Sequence, residues 1–261
     1  MKKDKLWYRS RGIDRMEERF GNPIQKFIKQ RLKTNKTVRV LELGFGEGKC
    51  LLELRNKFPN LELHGINNKK QGNMYKTQDF LKNAKKFKID IKKTNLPKPH
   101  FYDAGIKLKF KSNFFDLIIS QVAFHYIGNK AKTIEELWRV LKKDGKAFIH
   151  FDRLQSINLP DFMKNTKTPL FIIYQNNKFI PTKTYFNKIA KQGFNIRLSQ
   201  SLPGKKQFNL LMTKNTTKSL KLNLEFDGNS TLYLTPLNKS DPYKIKNTGI
   251  WWGTRSVFNV K

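Results

Sequence analysis

The chain has 261 residues, a formal net charge of +33, 13% aromatic residues and one cysteine, Cys50. That length suits one large domain or a domain with an appendage, and the aromatic content supports a packed core rather than a disordered polyelectrolyte. The single cysteine excludes an internal disulfide framework and a Cys-rich zinc site, and no apolar run approaches the roughly 18 residues a membrane-spanning helix needs.

The first residues, "MKKDKLWYRSRGIDRMEERF", lack the apolar stretch of a signal peptide and carry Asp4, Asp14, Glu17 and Glu18, which a transit peptide avoids; a cytoplasmic location is expected. Residues 13–33 have helical spacing, broken at "GNP" (21–23), with Asn22 as N-cap and Pro23 as the first residue of a second helix. "TVRVLEL" (37–43) reads as a strand, "KCLLELRNKF" (49–58) as a helix stopped by Pro59, and "LELHGI" (61–66) as the next strand. A polar helix is expected over 70–86, and over 87–100 a short strand followed by a loop broken by Pro97 and Pro99. "FFDLIISQ" (114–121) is apolar enough for a central parallel strand. "KAKTIEELWRVLKKDG" (130–145) reads as a helix ended by Gly145, and "KAFIHF" (146–151) as a strand. This β-α alternation predicts a parallel sheet covered by helices on both faces.

Further on, 169–180 reads as a hairpin around Asn176 and Asn177 and 182–193 as a helix from Thr182 to Gly193. "FNIRLSQ" and "KQFNLLMTK" read as an antiparallel pair, and 219–237 as a second hairpin around Asp227-Gly228. Trp251 and Trp252 either pin the tail or stack on a flat substrate.

Gly44, Gly46 and Gly48 lie in "LELGFGEGK", between the first strand and its helix. Glycine there permits positive φ and lets a ligand touch the backbone, beside helix N–H groups that favour negative charge. The G-x-G-x-G spacing differs from the dinucleotide G-x-G-x-x-G, and no G-K-[ST] follows, which excludes a P-loop. With Glu42 in "LELG", it resembles motif I of the class I S-adenosylmethionine-dependent methyltransferases. "FYDAGIKLKFKSNFFDLIIS" and "QVAFHYIGNKAKTIEELWRVLKKDGKAFIHFD" resemble later blocks of the same family, in order and at similar distances.

The resemblance implies an α/β, doubly wound (Rossmann-like), mostly parallel seven-stranded sheet with an antiparallel last strand. Around it are expected an N-terminal helical cap (1–34), the methyltransferase domain (35–215, with an insertion at 153–181) and a C-terminal β-hairpin and tail (216–261). It implies S-adenosylmethionine as cofactor. Glu42 would meet its ammonium group, Gly44, Gly46 and Gly48 its methionine part, and Asn67 its ribose. Asp103 and Ala104 would meet the adenine, and Gln121 would line the pocket near the methyl. Asn67 stands where the family usually has an acid; "GINNKKQ", with Gln71, resembles lipid- and sterol-modifying members that also lack it. Lys109 stands near the family's Pro. His125, with Tyr126 beside it, is the candidate catalytic base, with a packing role as the alternative; His64 and His150 are expected to pack or bond locally.

The expected function is methyl transfer to an O, N or C nucleophile of a small-molecule or lipid-like acceptor, with an RNA acceptor left open. The alternative is a catalytically decayed methyltransferase-like protein that binds RNA or the ribosome. The charge supports a polyanion partner through counterion release, but lysine supplies most of it, as an AT-rich genome would. Lys82, Lys85, Lys86, Lys88, Lys92 and Lys93 form either a phosphate-tracking stripe or a solvated face.

Overall fold

The computed structural model describes residues 12–68, 74, 76–121, 123, 124, 127, 130–151, 172–175, 178–200, 208–222, 230–233, 251, 252, 255 and 256. In chain order the elements are α1 (Ile13–Phe20), α2 (Ile24–Thr34), β1 (Val38–Leu43), α3 (Lys49–Lys57), β2 (Leu61–Asn67), α4 (Asp79–Phe87), β3 (Lys98–Phe101), β4 (Phe115–Gln121), α5 (Lys130–Val140) and β5 (Leu141–Phe151). There follow β6 (Ile172–Gln175), β7 (Lys178–Pro181), α6 (Thr182–Lys191), β8 (Asn195–Gln200), β9 (Phe208–Thr213), β10 (Ser230–Tyr233), β11 (Trp251–Trp252) and β12 (Arg255–Ser256).

The main sheet has seven strands in the order β3-β2-β1-β4-β5-β9-β8. β1 pairs in parallel with both β2 and β4, so the chain starts in the middle and winds outward both ways. β9 runs antiparallel between β5 and β8, as the sequence led one to expect of the last strand. Strand residues alternate between two cores. Val38, Val40, Leu63, Leu117 and Ile119 pack with Met16, Ile28, Leu51 and Phe80 from α1 to α4. Leu41, Leu43, Ile118 and Ile149 pack on the other face with Ile134, Leu137 and Trp138 of α5 and Phe186 and Ile189 of α6.

Several boundaries differ from the sequence reading. Asn22 does not cap α2; the buried carboxylate of Glu17 on α1 accepts from the N–H groups of Ile24 and Gln25 instead. α1 ends at Gly21, whose φ of 76° provides the left-handed turn back. α4 is described only from Asp79. β3 begins after Pro97 and includes Pro99 rather than preceding both, because it is an edge strand and Pro99 need not donate to a neighbour there.

α5 stops at Val140, not Gly145, and β5 begins at Leu141. Leu141 opposes Phe115 while Lys146 opposes Leu117, so residues 142–145 bulge out of the ladder, with Asp144 at φ 61° and its N–H donating to Lys214 O. Residues 219–222 are not a hairpin arm: Leu220 and Leu222 are buried against α5, and Leu222 N donates to Glu135 Oε1 at 2.9 Å. β10 pairs with β6, in a small sheet β10-β6-β7, and the Asp227-Gly228 turn lies outside the described residues. Trp251 and Trp252 pair with β12.

Candidate active site

The site is built on the turn between β1 and α3. Gly44, Gly46 and Gly48 have φ of 73°, 57° and 81°, which side-chain-bearing residues rarely adopt. Gly44 is also forced by space, since a Cβ there would lie 2.0 Å from that of Ala123, just beyond β4. Phe45, between the glycines, is withdrawn into the core: it stacks on Phe80 with centroids 5.7 Å apart and occupies the hollow left by Gly65. Gly48 is likewise held by space, since a Cβ there would lie 2.3 Å from the Phe80 ring, and no side-chain hydrogen bond caps the first turn of α3.

Asn67, buried at the carboxyl end of β2, binds this bend through both backbone groups of one residue. Gly46 N donates to Asn67 Oδ1 at 3.0 Å, and Asn67 Nδ2 donates to Gly46 O at 2.8 Å. Asn67 O accepts from Tyr102 N at 3.0 Å, which brings the loop after β3 alongside. There Asp103 is exposed, and its Oδ1 accepts from Gly105 N at 2.8 Å, a local Asx turn. Ala104 is buried, its carbonyl accepting from Thr133 Oγ1, and Ile106 is 66% exposed beside it.

Glu42 lies two residues before Gly44, on the sheet face covered by α1 and α3. It is buried, and its Oε2 has no hydrogen-bond partner among the described residues. Burial, and then the charge of Glu53 on α3, push its carboxyl from 4.5 up to about 8. Glu53 itself accepts from Ile13 N at 2.6 Å and so ties the start of α1 to this corner.

Gln121, His150 and Asn209 are register partners on β4, β5 and β9 and form one polar row toward the carboxyl ends of β4 and β5. Gln121 is buried, and neither its Oε1 nor its Nε2 has a partner among the described residues. Asn209 Nδ2 donates to Arg19 O at 2.8 Å, which leaves Asn209 Oδ1 facing His150 Nδ1 at 2.9 Å. Nδ1 therefore carries the proton and Nε2 is the basic nitrogen. The Phe20 ring of α1 covers the imidazole edge-on.

The structure thus gathers Glu42, the three glycines, Asn67 and Gln121 at the carboxyl edge of the central strands, with Asp103 and Ala104 on the adjoining loop. His125, Tyr126 and Gln71 lie outside the described residues. The sequence reading missed Glu53, Asn209 and the place of His150 in this row. The available signal was the position of His150 near the end of a strand expected beside β4.

The sheet winds both ways from β1, and the glycine bend lies at its switch point beside buried polar groups with no partner among the described residues. Residues 41–149 match the family model described as a methyltransferase domain. A curated relative, a malonyl-[acyl-carrier protein] O-methyltransferase of Bacillus anthracis, is 25% identical over 132 residues, covering 50% of this chain and 43% of its own. Among solved structures, a SAM-dependent methyltransferase of Methanosarcina mazei is 17% identical, with a TM-score of 0.45, covering 71% of this chain and 96% of that one. The phosphoethanolamine N-methyltransferase 2 of Haemonchus contortus, solved with S-adenosyl-L-methionine, is 21% identical with a TM-score of 0.45, covering 68% and 38%. The chain is similar over residues 41–149 to S-adenosylmethionine-dependent methyltransferases. It spans under half the length of the curated relative it matches.

Proposed function

We propose that the chain transfers a methyl group from S-adenosylmethionine to an O, N or C nucleophile of a small-molecule or lipid-like acceptor. The observation that carries this is Glu42: a buried carboxyl whose Oε2 has no partner among the described residues, two residues before the glycine bend. A buried carboxylate needs a cation or donor to be stable, and an amino-acid ammonium group supplies both. The residues present therefore fit the cofactor. Glu42 holds the ammonium, and the Gly44, Gly46 and Gly48 backbone receives the methionine part. Asn67 stands near the ribose, and Asp103 and Ala104 bound the adenine side.

When bound, the cofactor supplies a methyl group made electrophilic by the positive sulfur. The chain's own part is to align the acceptor and exclude water. Gln121 offers a donor and an acceptor to the incoming group. His150, fixed in one tautomer by Asn209, is the described candidate for taking a proton from a hydroxyl or amine; His125 and Tyr126 keep that candidacy from the sequence alone. The relative's activity on malonyl-[acyl-carrier protein] supports a lipid-like acyl acceptor.

Calorimetric titration with S-adenosylmethionine tests the reading, followed by labelled methyl transfer to malonyl-acyl carrier protein and, in parallel, to total RNA. Cofactor binding with transfer to the acyl acceptor supports it, and transfer to RNA alone replaces the acceptor. Absence of binding at millimolar cofactor, with salt-steep RNA retention, favours the decayed RNA-binding protein instead.

A further inference from the structure

Resting on that reading, we propose that Asn67 is a positioning residue that shapes the cofactor bend through both backbone groups of Gly46, and that its amide, not an acid, is required for this. The geometry is reciprocal: one carboxamide accepts at 3.0 Å and donates at 2.8 Å to the same residue. Gly46 stands at φ 57°, in the middle of a turn whose other glycines are also left-handed. The amide therefore fixes the orientation of the Gly46 peptide groups against which the methionine part of the cofactor lies.

An ionised carboxylate at this position can accept from Gly46 N but cannot donate to Gly46 O. Its second oxygen would face that carbonyl as two acceptors in contact, on a side chain that is only 2% exposed. A protonated carboxyl, by contrast, keeps one donor and one acceptor and reproduces the amide. The acid seen at this position elsewhere in the family is thus the wrong group for this particular loop. The backbone groups facing the position are those of Gly46 and, through the Asn67 carbonyl, Tyr102 N, and the titratable groups around it are Glu42 of β1, opposite Gly65, and Glu47, which follows Gly46 and binds Lys86. Asp103 follows Tyr102 on that loop and, being exposed, would add a like charge.

The test is the N67D variant beside N67A, each compared with wild type from pH 5 to 8, with S-adenosylhomocysteine as the titrant. N67D is expected to match wild type within about twofold at the acid end and to bind about tenfold more weakly at pH 8, the cost of one lost hydrogen bond and a crowded acceptor. N67A is expected to be weakened to a similar extent at every pH. N67D binding as tightly as wild type at pH 8, or more tightly, would mean that ribose contact governs the position and would overturn the proposal.

A second readout needs no cofactor. In N67D the new carboxyl, followed by carbon-detected NMR, is expected to titrate well above the about 3.9 of an ordinary aspartate, because burial disfavours its charge and only its protonated form satisfies Gly46 O. Titration at or below the ordinary value sinks the proposal. If wild type fails to bind the cofactor while this carboxyl titrates high, the functional reading falls and the positioning role stands.

Discussion

Glu42 and Asp116 are both buried carboxyls on adjacent strands at opposite ends of the sheet, and they are treated in opposite ways. Asp116, near the start of β4, accepts from Arg39 N at 2.9 Å and from Lys142 Nζ at 2.7 Å. At the same end Lys214 donates to Asn113 Oδ1, Arg139 O and Leu141 O. Glu62 there binds Arg39, Lys98 and His64. At the carboxyl end, Glu42 Oε2 and both polar atoms of the Gln121 amide have no partner among the described residues. An unpaired buried polar group costs about 1–3 kcal/mol. Asp116, Lys214 and Glu62 are thus paired at one end, where Arg55 Nη1 donates to Pro59 O but Arg55 Nε lacks a partner among the described residues, while at the other end the proposed ligand would complete the pairing.

The largest effect is expected at Glu42. E42Q removes the charge proposed to meet the cofactor's ammonium, and affinity for S-adenosylmethionine should fall by about a hundredfold, the scale of a broken buried charge pair. Stability without cofactor should move the other way. The folded-state carboxyl titrates at about 8 against an ordinary 4.5. The folded protein thus holds a proton that the unfolded chain has released, and wild-type stability falls as pH rises from 4.5 through 8. E42Q lacks that slope and should melt several degrees above wild type at pH 8.5. A lower melting temperature for E42Q there would mean that Glu42 already has a partner, and the contrast between the ends would collapse.

K214M reverses the pattern. It strips three acceptors of their donor at the satisfied end, which should cost about 2 kcal/mol and lower the melting temperature by roughly 4–8 °C. Cofactor affinity should change less than about twofold, because Lys214 packs against the start of β5, at the end of the sheet away from the bend. A large affinity loss in this variant would show that the two ends are energetically coupled.

What was legible in the sequence was local. The glycine spacing, the β-α alternation and the apolar β4 run are short-range patterns, and they place Glu42, the three glycines and Gln121 where the sheet puts them. What was not legible depended on partners distant in sequence. The resemblance assigns Asn67 to the ribose, and nothing in "GINNKK" shows that Gly46, 21 positions earlier, takes both ends of its amide. Glu17 replaces Asn22 as the cap of α2 because the α1–α2 turn folds a side chain back onto the next helix. β3 includes Pro99 because it lies at the sheet edge, and β5 starts early because Lys214, on a distant strand end, holds the 142–145 bulge. Edge position and register belong to the assembled sheet and leave no mark in a window of ten residues.

The smallest effects belong to the satisfied end in acid. Burial alone would raise the carboxyl of Glu62, but bonds from Lys98, Arg39 and His64 outweigh it and hold it at about 2. Its folded value is depressed, so it contributes stability that is present above 4.5 and lost as pH falls from 4.5 through about 2. His100, whose Nε2 lies 3.0 Å from His64 Nδ1, is pushed down to about 4 by burial and then by His64 and Lys98. Its contribution is lost earlier, as pH falls from 6.5 through about 4. Two variants separate the windows: H100Q should flatten melting temperature against pH in the upper one, and E62Q in the lower. At pH 7, E62Q should cost no more than about 1 kcal/mol, because Lys98 is exposed and solvent screens its share of the pairing. Neither variant should alter cofactor affinity at pH 7. If E62Q left the acid limb of the melting profile unchanged, the Glu62 cluster would be electrostatically idle, and the satisfied end would rest on Asp116 and Lys214 alone.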